Sequence, residues 1–167
     1  MTDTQRHDVE GDAVFVAQNP VATGRDVRTP QLPVDWQHLW FSVARHPWSA
    51  LGVVPAHVGV NTLDAARHMV SAGAAYSAAS VQLIDATLAD PDSARDVIAR
   101  IEQYRHDAQR CVVALPSPIT APAAISVARV AGAILLVVPL GLAEIRIARR
   151  TIDSIGREYF LGAVSMR

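Results

Sequence analysis

The clearest candidates for ligand binding in this sequence are a short loop, which could bind an anion, and one carboxylate, which could bind a metal ion. Gly59 and Thr62 lie just before a predicted helix, where backbone N–H groups and the helix dipole can hold an anion weakly. An ordinary turn that caps the helix explains the same two residues equally well. Asp85 closes an apolar segment, where a carboxylate can join a magnesium site or accept hydrogen bonds from nearby amides. We favour the second interpretation, because the partner carboxylates that a hard cation needs are missing.

The other candidate nucleophiles and metal ligands form no recognisable constellation. Ser117 stands between two prolines, without the glycine elbow or the histidine that activates a catalytic serine, so we interpret it as a loop residue. Four histidines lack the close helical spacing of a metal-binding pair, and the single cysteine has no cysteine partner. These residues are His38, His46, His57, His68 and Cys111. We therefore expect no metal site.

Composition narrows the function classes that remain. The 167 residues suffice for one domain with a hydrophobic core, and 50% of them are apolar while only 5% are aromatic. The net charge of −1 provides no general attraction to nucleic acid or to an anionic membrane. Residues 1–12 are polar and lack a secretory signal, and one cysteine suits a reducing compartment. We expect a cytoplasmic protein that does not bind nucleic acid.

The most apolar segment, residues 131–143, is too short to cross a membrane. It contains Pro139, and a spanning helix needs roughly 17–25 apolar residues. We predict a buried strand with its exit loop, and no direct membrane insertion.

Two regions of different character divide the chain. Residues 1–33 are polar and hold three prolines, so we predict a flexible tail in which only residues 13–17 suggest a short strand or turn. Residues 34–167 form one domain of alternating apolar and amphipathic segments. Strands are predicted at 49–55, 81–86, 111–115, 133–138 and 159–166. Helices are predicted to begin near 36, 62, 93, 121 and 142.

Two of these helices carry specific side-chain expectations. Ser93 with Asp96 resembles a capping box that opens the third helix. Apolar positions at helical spacing predict the inner faces. They are Val97, Ile101, Tyr104 and Ala108 in the third helix, and Leu142, Ile145, Ala148, Ile152 and Ile155 in the last.

Strands that are almost continuously apolar and alternate with helices predict the fold class. Such strands belong to a parallel sheet that is covered on both faces. We expect an α/β domain with a parallel β-sheet of about five or more strands and helices on both faces. Ligands of such sheets bind at the carboxyl ends of the strands. Function is therefore expected in the loops at 57–62, 85–90, 116–120 and 139–141.

The order of segments along these loops matches a set of motifs. The segments are VPAHVGVNT from Val54, QLIDATLADP from Gln82, VVALPSP from Val112, GAILLVVPLG from Gly132 and FLGAVSM from Phe160. They are similar in order and spacing to A-x-P-G-E-G-K-S-T, L-L-I-D-A-D-L-R-x-P, V-I-I-D-T-P-P, G-V-L-L-V-V and V-L-G-V-V-L-N. Over residues 35–166 the chain thus resembles the bacterial tyrosine autokinases of capsule and exopolysaccharide systems, within the MinD/ParA-like P-loop ATPases. The resemblance implies a P-loop NTPase-like three-layer sandwich.

The phosphate loop departs from the family pattern. Only Gly59 and Thr62 agree with it, while Val60 holds the lysine position and Asn61 the serine position. A neutral branched side chain cannot supply the positive charge that meets the β- and γ-phosphates. His57 holds the early glycine position, where its Cβ hinders the backbone from wrapping an anion.

The remaining nucleotide positions depart as well. Asp85 is retained, but Thr87 replaces the second aspartate of that motif. Leu115 stands where the resemblance places the magnesium-linked aspartate, and Met166 where it places an asparagine beside the adenine. A leucine has no lone pair for a metal or its water shell. We expect a degenerate pocket with no cofactor, in which weak binding of ATP or ADP stays open.

The aromatic residues concentrate in the first helix and just after it. Trp36, Trp40, Phe41 and Trp48 lie within a short stretch, and the equivalent helix of the resembling kinases takes part in subunit association. Aromatic side chains commonly carry the binding energy of interfaces. Packing on the chain's own sheet explains Trp36 well but Trp40 with Phe41 less well, since helix neighbours diverge by roughly 100°. Both interpretations stay open.

The resemblance and the missing active-site residues together predict a catalytically inactive, pseudokinase-like regulator or scaffold. Its implied partner is the cytoplasmic part of an inner-membrane polysaccharide co-polymerase or export protein, which would place it at the periphery of that membrane, with a homo-oligomer as a further expectation. One alternative is a divergent ATPase or tyrosine kinase in which Arg129 or His57 replaces the lysine. Another is a MinD/ParA-like positioning accessory.

Overall fold

Strands and helices alternate throughout the computed structural model, which describes residues 14–16, 33–88, 90–141 and 144–166. The strands are β1 (Val14–Val16), β2 (Ala50–Pro55), β3 (Val81–Asp85), β4 (Arg110–Ala114), β5 (Gly132–Pro139) and β6 (Phe160–Met166). The helices are α1 (Val34–Ala44), α2 (Leu63–Tyr76), α3 (Pro91–His106), α4 (Ala123–Ala131) and α5 (Ile145–Ile155). A short 3-10 turn, Arg157–Tyr159, leads into β6.

The six strands form one sheet in the order β1-β6-β5-β2-β4-β3, and every neighbouring pair is parallel. The prediction of a parallel sheet of about five or more strands is confirmed. The segment at 131–143 supplies β5, whose centre is buried as predicted. Among the described residues, no helix is long and apolar enough to cross a membrane.

Two hydrophobic cores lie on opposite faces of the sheet. The first is formed by α1 and α2 against alternate side chains of the strands, such as Leu51 and Leu135. The second is formed by α3 and α4, joined by Ile155 of α5, against the intervening side chains, such as Ile84 and Ile134. This alternation follows from the period of two in a strand. The predicted three-layer sandwich is confirmed.

The N-terminal region enters the fold at one point. Val14–Val16 pairs with Ala163–Ser165 of β6 at the edge of the sheet, where residues 13–17 suggested a short strand or turn. Residues 1–13 and 17–32 lie outside the described residues, so the flexible tail stays a prediction.

The cap of α3 corrects one sequence expectation. Asp90, not Ser93, is the N-cap: its Oδ1 accepts hydrogen bonds from the N–H groups of Asp92 and Ser93, at 3.1 and 2.7 Å. The Ser93 hydroxyl accepts from the Asp90 N–H at 2.8 Å, which completes a capping box one turn before the predicted one. Hydrogen bonds that the Asp90 carboxylate accepts from the Ser93 N–H, the Ser93 hydroxyl and the Asp92 N–H lower the pKa of Asp90. Pro91 follows at the first helical position, where its lack of an N–H costs nothing.

Two predicted inner-face residues face solvent instead. Ala108 lies beyond the end of α3, with a φ of 54°, and is exposed. Ile145 is 79% exposed at the start of α5, whereas Ile155 at its end is buried. Leu142 lies outside the described residues. The core of this layer therefore contacts the last turns of α5 more closely than the first.

The three tryptophans belong to the core, which agrees with the packing interpretation of these positions, one of the two that the sequence left open. Trp36, Trp40 and Trp48 are 1%, 2% and 8% exposed. The Trp48 Nε1–H donates to the Val43 carbonyl at 3.0 Å, and its ring packs edge-on against Trp40. Of the four predicted interface residues, only Phe41 is exposed.

Gly73 makes room for the tryptophan core. A Cβ at this position of α2 would lie 2.8 Å from a ring carbon of Trp40 and 2.6 Å from a methyl group of Val81. Both neighbours are buried, so neither can move away freely. A hydrogen at position 73 is therefore what lets α2 approach Trp40.

We predict that Gly73→Ala destabilises the protein by about 1–2 kcal/mol in urea unfolding. Overpacking costs about 1–3 kcal/mol, and two contacts shorter than 3.0 Å place this site in the upper half of that range. About 1–2 kcal/mol therefore remains after the gain of about 1 kcal/mol from the better helix propensity of alanine. Ser71→Ala, at an exposed position of the same helix, is the control and should change stability little. Equal or greater stability of Gly73→Ala would contradict this packing.

Cys111 should be chemically inert in the folded protein. The thiol lies in β4 with no exposed surface, and burial raises its pKa to about 11 from 9.0, although Arg105 and Arg100 oppose the rise. A thiol reagent at pH 8 should label it only after unfolding. Above pH 9 the unfolded thiol loses its proton while the folded one keeps it, so stability should fall between pH 9 and 11. Cys111→Ala should lose that part of the pH dependence.

Candidate functional site: a cleft at the carboxyl edge of the sheet

The loops that follow β2 and β4 meet at the carboxyl edge of the sheet. The two strands are hydrogen-bonded neighbours, with Val53 opposite Ala114, so their following loops emerge side by side. Between these loops lies a cleft of about 340 Å³, which we call the central cleft. It is lined by Gly59, Val60, Asn61, Thr62, Leu63, Thr87, Leu115, Pro116, Ser117 and Thr120. The structure thus brings together most of the predicted nucleotide-pocket positions.

Thr62 joins the two loops through a buried hydrogen bond. Its hydroxyl donates to the Leu115 carbonyl at 2.8 Å, and the residue is 1% exposed. The bond ties the start of α2 to the end of β4, across 53 positions of sequence. The hydroxyl that agrees with the family pattern is therefore engaged with the backbone of its own chain.

The Leu115 side chain is part of the core. It is 0% exposed and packs in the cluster below the sheet, near Gly52 of β2. Its N–H donates to the Val53 carbonyl at 2.9 Å, which continues the β2–β4 pairing beyond the end of the strand. An apolar, buried side chain at this position offers no ligand to a magnesium ion.

The loop before α2 is held by its own short-range contacts. Gly59 has a φ of 87°, in the left-handed region that glycine tolerates, and the Val60 N–H reaches the His57 carbonyl at 3.5 Å. The Asn61 Oδ1 accepts from the Leu63 N–H at 2.9 Å, just before α2, whose N-cap residue Thr62 makes no capping bond with its side chain. The His57 ring contacts the Val58 carbonyl at 2.6 Å. An ordinary turn thus leads into the helix, with Asn61 as its side-chain acceptor.

Asp85 stabilises the turn after β3. Its Oδ1 accepts from the N–H and the hydroxyl of Thr87, at 3.1 and 2.7 Å. This is the arrangement that we favoured over a magnesium-site role. Asp85 lines a separate cleft of about 260 Å³ with Leu88, Ser93 and Val97. Thr87 is the one described residue that lines both clefts.

Met166 lies away from the central cleft. Its side chain packs against the core of α1 and α2, and its carbonyl accepts from the Leu140 N–H at 2.8 Å. Met166 does not line the central cleft, and neither does His57. Sequence reasoning had grouped both residues with the pocket positions.

Ser117 is a cleft residue that sequence reasoning set aside. It is 5% exposed, and its carbonyl accepts from the N–H groups of Thr120 and Ala121, at 3.1 and 2.9 Å. Its hydroxyl lies 3.4 Å from the Ile119 N–H. The pattern Pro-Ser-Pro after a strand signals such a turn, but it does not tell which cleft the turn lines.

The described residues contain no cluster of side chains that could form a metal site. Residues 33–88, 90–141 and 144–166 contain no group of three or more His, Cys, Asp or Glu side chains placed to hold a metal ion. Asp85 is the only predicted pocket position with an ionisable carboxylate, and Thr87 already bonds it.

Comparison with known proteins identifies the fold. No protein-family model matches the sequence, and no curated protein is similar enough to count as a match. Among solved structures, the crystal structure of the chimerical protein CapA2B2 is similar, with a TM-score of 0.68 and 11% sequence identity. The likeness covers 83% of this chain and 87% of that one. At this identity the likeness shows the fold alone.

We predict that Thr62→Val destabilises the protein by about 1–2 kcal/mol, because it removes the bond to Leu115 and leaves a carbonyl without that donor. Valine has nearly the same shape, so little packing is lost. Thr87→Val, which loses only an exposed bond to Asp85, is the matched control and should cost less. Urea unfolding of both variants measures the difference, and equal costs would contradict the structural role of Thr62.

Proposed function

We propose that the protein is a catalytically inactive, tyrosine-kinase-like regulator or scaffold in bacterial exopolysaccharide synthesis and export. It acts through contacts with other proteins, first of all with the cytoplasmic part of an inner-membrane polysaccharide co-polymerase or export protein. The fold supports the kinase-like part of this proposal, since it is shared with CapA2B2. The pathway follows from the motif order, which resembles that of the capsule and exopolysaccharide kinases.

The observation that carries the proposal is the uncharged lining of the central cleft. Phosphoryl transfer depends on positive charge at the phosphates and on carboxylates that hold magnesium. None of the described residues that line the cleft is ionisable. Val60 and Leu115 occupy the two positions where charge matters most, and Leu115 is packed in the core. Both side chains are aliphatic, so no change of rotamer at either position can place a charge in the cleft.

The contacts of Arg129 and His57 argue against a divergent enzyme. The Arg129 guanidinium donates to the carbonyls of Ile155 and Ser154, at 2.9 and 3.1 Å. These carbonyls end α5, just before β6 begins, so Arg129 lies at the amino edge of the sheet, opposite the central cleft. His57 does not line the cleft. For Arg129 or His57 to replace the lysine, the side chain would have to leave its present hydrogen bonds and move into the cleft.

We predict no magnesium-dependent ATP turnover and no tyrosine phosphorylation by the purified protein. Phosphate release and phosphotyrosine formation are measured with magnesium and with manganese. The Thr62→Val variant is the control for contamination, because any activity of a contaminating ATPase would be the same in both preparations. Turnover that the wild type shows and Thr62→Val lacks would contradict an inactive cleft.

The pathway is tested in cells. Deletion of the gene should change the amount or the chain length of the exported polysaccharide, and a copy that carries Thr62→Val should restore it if folding is retained. Unchanged polysaccharide in the deletion strain would contradict the pathway assignment while leaving the inactive cleft in place.

A further inference from the structure

A third cleft shares two loops with the central cleft but is lined by charged residues. It has a volume of about 330 Å³ and we call it the arginine cleft. It is lined by Val58, Ile119, Glu144, Arg146, Ile147 and Arg150. Val58 belongs to the loop that also lines the central cleft, and Ile119 to the turn that follows β4. The two clefts therefore share both loops but differ in charge.

Arg146 and Arg150 lie on one face of α5. They are four residues apart, which is about 6 Å along a helix, so their side chains project to the same side. Within the described ranges, the ion pairs join Asp64 with Arg67, Asp92 with Arg95, and Glu102 with Arg105, and none includes either arginine of the cleft. Both guanidinium groups are exposed and free to meet a carboxylate in a bidentate manner.

Three aliphatic residues line the arginine cleft together with the two arginines. Val58 is 39% exposed, and Ile119 and Ile147 are partly exposed. Three aliphatic side chains and two arginines in one lining fit a segment that carries an apolar side chain next to acidic groups. Glu144, at the start of α5, limits the positive charge to a local patch.

We propose that the arginine cleft binds a short acidic segment of a partner protein, anchored by one apolar side chain between flanking carboxylates. A nucleic acid would need a longer basic surface, and the net charge of −1 provides none. An anionic membrane would likewise meet a mostly neutral molecule. The proposal rests on the proposed scaffold function, since it supplies the surface through which the scaffold contacts its partner.

The test is selection from a library of random short peptides on the immobilised, full-length protein. The expected consensus has one apolar residue between aspartates or glutamates. A synthetic peptide with that consensus is then titrated by fluorescence anisotropy at low and at physiological salt. Arg146→Glu and Arg150→Glu should each weaken binding about tenfold or more, because charge reversal repels the peptide. Affinity of the wild type should fall as salt rises.

Arg149→Glu is the matched control. Arg149 is an exposed arginine on the same helix, but it does not line the cleft, so its reversal changes the net charge equally and should weaken binding much less. All three substitutions are at exposed positions, and thermal unfolding checks that each variant folds. Equal losses in the three variants would show a general charge effect and overturn the proposal.

Two further outcomes would also overturn it. One is the absence of an acidic consensus, or peptide binding that Arg146→Glu and Arg150→Glu leave unchanged. The other is binding of single-stranded DNA or of anionic vesicles that exceeds peptide binding and is lost in the same two variants. Turnover assays on the same samples separate the proposals: ATP turnover contradicts the inactive scaffold, whereas failed peptide selection without turnover contradicts only this surface.

Discussion

The hydrogen bond from the Thr62 hydroxyl to the Leu115 carbonyl fixes the relation of the two loops on which the site depends. It is short, buried, and formed by residues far apart in sequence. Through it the start of α2 is held against the end of β4, and the central cleft lies between the loops so joined. A buried polar pair of this kind costs free energy if either partner is lost.

The two clefts at the carboxyl edge of the sheet differ in the charge of the side chains that line them. The described residues that line the central cleft are uncharged, and the Leu115 side chain is packed in the core formed with α3 and α4. The adjoining arginine cleft is lined by two guanidinium groups, which form no ion pair with a described residue, and by three aliphatic side chains. The carboxyl edge of the sheet, where such folds bind their ligands, thus carries an uncharged cleft beside a basic one. This division favours recognition of a protein over phosphoryl transfer.

Much of the fold was predictable from the sequence because the strands are almost continuously apolar. Segments such as VQLID and CVVAL have few alternatives to a buried parallel strand. Local signals were less certain: Asp90 with Pro91 was a better helix start than Ser93, since proline suits the first helical position. The burial of Trp40 was not predictable, because it depends on Gly73 in another helix. The arginine cleft was missed for the same reason, since α5 meets the loops after β2 and β4 only in the folded chain.

The central claim is that the cleft at the phosphate-loop position does not bind nucleotide productively. Isothermal titration of the purified protein with ATP and ADP, with and without magnesium, tests it most directly. The account predicts no binding heat at millimolar nucleotide under either condition, because the described residues that line the cleft include no cation and no carboxylate. Micromolar, magnesium-dependent binding that Thr62→Val abolishes would contradict it, and would restore a nucleotide-gated or enzymatic role to this loop.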